Sequence, residues 1–221
     1  MRQAPSRVRT EYIEVPRDFL LLVKNVTLVA DVMFVNKVPF PITMSRKIKF
    51  ITVEFLSSRR AKQLSYSIKR VLQLYRRAGL SVQTVLMDME FDKVADALKG
   101  DIVINTAAAC EHVEEIEREI RHIKERCRSV VSCLPYTILH KRIVINLVYF
   151  AVMWLCAFIR KSGCSSTYSP RAILCRTDLS YEKHCRAQFG EYCEAHLDPD
   201  RTNTIESRTF PSLCLGHTGN R

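Results

Sequence analysis

Apolar and polar positions change period along the chain, and each change marks an element. From Val26 to Val35 the segment VTLVADVMFV is β-branched and apolar on both faces, as in a central strand, with Asp31 interrupting its middle. VPFPITMS (38–45) and KIKFITVEFL (47–56) follow across short turns, the second with the alternation of a half-exposed strand. Three meandering antiparallel strands are the expectation. The spacing then lengthens. In SSRRAKQLSYSIKRVLQLYRRAG the apolar positions Ala61, Leu64, Ile68, Val71, Leu72, Tyr75 and Ala78 recur at three and four, which predicts a helix of about five turns. Ser57 or Ser58 is placed to cap its start and Gly79 to close its end.

A strand over 82–88 follows, ending on Asp88, then a short helix-like piece, FDKVADALKG, and a short strand, DIVIN (101–105). In CEHVEEIEREIRHIKERCRSVV a narrow apolar stripe runs through Val113, Ile116, Ile120, Ile123, Cys127 and Val130, which predicts a long helix. Ile143 to Ile159 is almost wholly apolar, with basic residues at both ends. At 17 residues it sits at the lower limit for a membrane span. The rest of the chain reads as an α/β domain that needs helices to cover its sheet, so the run is assigned to a buried helix, with no membrane partner. Strands reached through helical crossovers lie parallel to a neighbour. The expected architecture is therefore α/β: a mixed five-stranded sheet, three antiparallel strands then parallel additions, with helices on both faces. Residues 1–24 read as a leader or linker, 25–161 as the core, and 162–221 as a less regular extension.

Charge adds a class of partner. The chain has 221 residues, 34 Lys and Arg against 23 Asp and Glu, and a net charge of +11, a balance suited to polyanions such as nucleic acid. On the predicted helix over 61–78, Lys69 and Arg70 belong to an exposed side that holds no acid and could track phosphates, or simply be solvated. Nine cysteines without a signal peptide or a CxxC pair indicate reduced thiols in an intracellular setting, nucleus or cytoplasm, not a secreted one. The His184, Cys185, Cys193 and His196 group matches no zinc-finger spacing and reads as ordinary loop and strand.

Three carboxylates stand where burial alone does not explain them. Asp31 is at a strand centre, Asp88 at a strand end, and Glu117 one position after the stripe residue Ile116, hence at the edge of the buried face. Carboxylates brought together repel unless a cation neutralises them, and hard divalent ions prefer oxygen ligands. Each acid also has a plainer reading, as a turn former or as part of an acid-rich helix, and spacing alone does not single out Glu117.

The order of elements together with Asp31, Asp88 and Glu117 resembles the RNase H-like catalytic core of retroviral and retrotransposon integrases. MDMEF (87–91) and IEREIRHIKE (116–125) are similar to two motifs of the copia-type elements. Downstream, YSPRAIL (168–174), FGEYCEAH (189–196) and RTFPSLCLGHTGN (208–220) resemble the segment that follows the core in those polyproteins. The resemblance implies a polyprotein fragment with two Mg²⁺ or Mn²⁺ ions, Asp31 and Asp88 on one and Asp31 and Glu117 on the other. It implies DNA integration by polynucleotidyl transfer, with element ends and target DNA as partners and a homo-oligomer as the working form. Arg121, Lys124 and Arg128 follow Glu117 at helical spacing and would lead DNA toward the acids, though solvated charges account for them equally. A fragment that binds nucleic acid through its basic helices without chemistry is the alternative.

Overall fold

The structure, a computed structural model, describes residues 12–87, 94, 103–105, 109–179, 182, 186–196 and 209–216. After a short helix α1 (Arg17–Leu22), the chain forms β1 (Asn25–Val35), β2 (Val38–Ser45) and β3 (Ile51–Val53). The first connection is two residues long, Val35 pairing with Val38, and both turn residues take positive φ, Asn36 at 46° and Lys37 at 64°. That is the turn whose twist matches two antiparallel strands. β3 is shorter than the alternation over 47–56 predicts. The Lys49 amide bonds back to the Ser45 carbonyl at 2.8 Å, and the φ of 61° at Lys49 turns the chain, so pairing resumes only at Ile51.

α2 (Ala61–Arg77) follows, buried along Leu64, Ile68, Val71, Leu72 and Tyr75 as its spacing requires. Its start differs from expectation. Neither Ser57 nor Ser58 caps it; Arg60 occupies the cap position, and Gln63 reaches back to accept from the Ser58 amide at 2.8 Å and donate to Ser57 Oγ at 2.6 Å. Its end is closed by Gly79, whose φ of 78° suits glycine.

β4 (Ser81–Met87) and β5 (Val103–Asn105) complete a mixed sheet in the order β3-β2-β1-β4-β5. β1 runs antiparallel to β2 and parallel to β4, and β4 parallel to β5. Of the helix-like piece over 91–100, Val94 alone is described, buried and helical; the rest lies outside the described residues. β1 is buried at the consecutive positions Leu28, Val29 and Ala30 and again at Val32 and Met33, so both of its faces are covered.

Two further helices supply cover: α3 (Ala109–Ser132) packs on β1 and β4, and α4 (Lys141–Ala157) packs on β2, β3 and α3. α4 starts two residues before the predicted apolar run, where His140 Nδ1 accepts from the Arg142 amide, and ends before Phe158 and Ile159, which are exposed. Val144, Leu147, Val148, Ala151, Val152 and Cys156 are buried, which accounts for its apolar run. Among the described residues no helix is long and apolar enough to cross a membrane. α4 is tied to the sheet edge by polar contacts as well: the Ile51 amide donates to Cys156 Sγ at 3.3 Å and the Phe55 amide to Tyr149 Oη at 2.9 Å.

α5 (Pro170–Cys175) packs on α4, with Ser169 Oγ accepting from the Ala172 amide at its start. β6 (Tyr192–His196) and β7 (Thr209–Leu213) form a separate antiparallel pair.

Candidate active site

Because β1 and β4 are parallel, both carboxyl ends leave the sheet on the same side, where open α/β sheets bind their ligands. Their register runs from Thr27 opposite Thr84 to Ala30 opposite Met87, after a bulge at Val26 and Thr27. Asp31 is the residue after Ala30, and Asp88 the residue after Met87. Asp31 is half-buried, faces Ile42 across the antiparallel ladder, and accepts the amide of Val32 at 2.6 Å through Oδ1. Asp88 lies outside the described residues.

α3 brings the third acid. Ile116 is buried where the helix packs on β1 and β4, and the stripe continues through Ile123 and Cys127. Glu117, expected at the edge of the buried face, is exposed. Among the described residues of this helix, Glu119 is a buried carboxylate. Arg160, just beyond α4, donates through Nη2 to Glu119 Oε1, while His122 Nδ1 stands 3.7 Å from Oε2. A signal for Glu119 was present in the chain. At about 100° per residue it lies roughly 20° beyond Val130 at one edge of the stripe, nearer to it than Glu117, which lies roughly 40° beyond Val113 at the other edge. What the chain did not show is which cation would meet it, 41 residues away.

Arg121, Lys124 and Arg128 continue from Glu117 along one flank of α3, the two arginines exposed and Lys124 half-buried. Lys69 and Arg70 are exposed on α2. The charge of Arg70 is met from outside its helix: Glu54 lies 3.3 Å from Nη1 and also accepts from Ser67 Oγ at 2.9 Å. The acid-free side read from the sequence is therefore neutralised at that position.

Among the described residues no group of three or more His, Cys, Asp or Glu side chains is placed to hold a metal ion; the three-carboxylate set includes Asp88, which is not among them. Of the other group, Cys193 and His196 lie on β6, with Cys193 Sγ 3.5 Å from Ser212 Oγ, and His184 and Cys185 are outside the described residues.

No family model and no curated protein matches the chain. Among solved structures it is similar to the catalytic core domain of BIV integrase, with 15% sequence identity over 67% of this chain and 93% of that one and a TM-score of 0.47.

Proposed function

We propose that the chain carries an RNase H-like, integrase-type core whose reaction is metal-dependent polynucleotidyl transfer in DNA integration. Water attacks a DNA phosphodiester in 3′-end processing, and the element's 3′-hydroxyl attacks in strand transfer. The observation that carries this reading is the parallel pairing of Ala30 with Met87, since Asp31 and Asp88 each follow one member of that pair. α3, packed on the same two strands, carries Glu117.

The donor set is all carboxylate oxygen, which suits Mg²⁺ or Mn²⁺ and not a thiolate- or imidazole-seeking metal. Two such ions, when bound, would activate the attacking oxygen and stabilise the leaving one. In this reading Asp31 is held in place by its bond from the Val32 amide, and Arg121, Lys124 and Arg128 hold backbone phosphates beside Glu117. Lys69 contributes a further phosphate contact from α2, while Arg70 is drawn toward Glu54. The partners are element ends, target DNA and further copies of this chain.

Calorimetric titration of Mn²⁺ into the wild-type chain and into Asp31→Asn and Asp88→Asn, with nicking of a labelled duplex followed in parallel, tests the proposal. The expected result is binding and nicking that both substitutions abolish. Metal binding indifferent to both would sink it. Duplex binding with neither metal uptake nor nicking would leave a nucleic-acid-binding fragment without chemistry.

A further inference from the structure

α3 has a second charged flank. At about 100° per residue, Arg118, His122 and Arg126 centre on a direction roughly 130° around the axis from Glu117, Arg121, Lys124 and Arg128. This flank, the end of α4 with the turn that follows it, and the β2–β3 connection line an open groove of about 880 Å³. That volume falls within the range of sites that enclose small ligands, about 300–1,000 Å³.

The groove is cationic once its internal pairs are accounted for. Lys49, Arg118, Arg126 and Lys161 line it, and among the described residues none of the four has an acid partner. Two of its acids are already matched: Glu115 accepts from Arg46 at 3.1 and 3.4 Å, and Glu119 from Arg160. Glu125 is the remaining counter-charge. The Glu119–Arg160 pair has side chains only 9% and 15% exposed and ties α3 to the turn after α4, so it braces the two walls that carry the cations.

Arg118 and Arg126 are eight residues apart, about 12 Å along the helix axis. Successive nucleotides of one strand rise about 3.4 Å, so that distance covers three to four phosphates. We propose that this groove binds a ligand that carries several phosphate groups along about 12 Å, either consecutive phosphates of a nucleic-acid backbone or a compact polyphosphate. Neither Asp31 nor Glu117 lines this groove, and binding there needs no metal.

The test uses the full chain in EDTA, so that failure of the metal-dependent reading cannot affect it. Tripolyphosphate binding is measured by calorimetry, and binding of a labelled 20-base-pair duplex by anisotropy across a salt series. Arg126→Gln with Lys161→Gln should weaken tripolyphosphate by about tenfold or more, the worth of a lost charge-assisted contact. On duplex, losing two phosphate contacts should reduce the salt slope by about 1.8. An effect on tripolyphosphate alone assigns the compact ligand, and an effect on the duplex slope alone assigns the backbone. If neither changes, or if Arg121→Gln with Arg128→Gln on the other flank weakens tripolyphosphate as much, the proposal is overturned; a fall in duplex slope for that second pair is what the phosphate contacts proposed for the reaction predict. The neutral glutamine pair keeps both exposed positions polar; a melting temperature matching wild type confirms folding, and single Arg126→Gln and Lys161→Gln variants give the same reading at half the slope change if the pair does not fold.

Discussion

Replacing Arg160 by leucine would strand a carboxylate. The Glu119 side chain is 9% exposed, Arg160 Nη2 donates to its Oε1, and His122 Nδ1 at 3.7 Å from Oε2 is too far for a hydrogen bond. Breaking a buried pair from one side costs about 3–5 kcal/mol, because the remaining charge has lost both water and partner. For a chain of this size each kcal/mol lowers the melting temperature by about 2–4 °C, so Arg160→Leu should melt roughly 6–20 °C below wild type. Replacing both residues by leucine removes the stranded charge with its partner, and such apolar replacements are often neutral or stabilising. The double variant should therefore be more stable than either single one. Urea unfolding followed by circular dichroism measures all four proteins, with an unchanged slope showing that stability rather than compactness has moved. A cost below about 1 kcal/mol for Arg160→Leu, the range of an exposed pair, or two single losses that simply add in the cycle, would show that Glu119 and Arg160 are not a buried pair.

Alkaline stability should report the buried thiols. Burial pushes Cys156 up from 9.0 to about 12 and Cys127 up to about 11, and Tyr75 is raised by burial as well. An unfolded thiol ionises near its ordinary value while the folded one stays neutral, so this stability is fully present below about pH 9 and is lost as pH rises toward 12; a flat melting temperature from pH 8 to 11 would contradict it. Native-state alkylation should modify exposed Cys133 well before Cys156, which mass spectrometry reads directly. At the β1–β2 turn, Lys37→Gly relieves a side chain held at φ 64° and should stabilise by about 0.5–1 kcal/mol, a rise of roughly 1–4 °C in melting temperature. Gly190 has φ 80°, and a Cβ there would collide with Leu134 Cδ2 and Tyr136 Oη. Gly190→Ala should cost about 2–4 kcal/mol in a urea titration, and no loss would mean that the 186–196 segment does not pack against the turn after α3.

Periodicity alone marked most elements because each one's environment was written into its own spacing. β1 is apolar at consecutive positions and proved covered on both faces; α2 buries Leu64, Ile68, Val71, Leu72 and Tyr75, and α3 buries Ile116, Ile123 and Cys127, as their three- and four-residue spacing requires. The apolar run of α4 was legible as a buried helix because its neighbours needed one. Strand length was less legible: β3 is three residues because a backbone reversal at Lys49, invisible in the alternation, consumes the residues before it.

For the candidate site, local sequence singled out Asp31 and Asp88 as acids where apolar strands are interrupted or end. The tertiary structure decided the register that pairs the residues before them, since parallel pairing between distant strands depends on how the intervening helix returns the chain. It also set Glu117 and Glu119 apart in burial. Both lie beside an isoleucine of the stripe, and spacing could not say which flank a neighbour would cover. The turn after α4 delivers Arg160 to one flank, so Glu119 is buried against a guanidinium, while Glu117 on the other remains exposed.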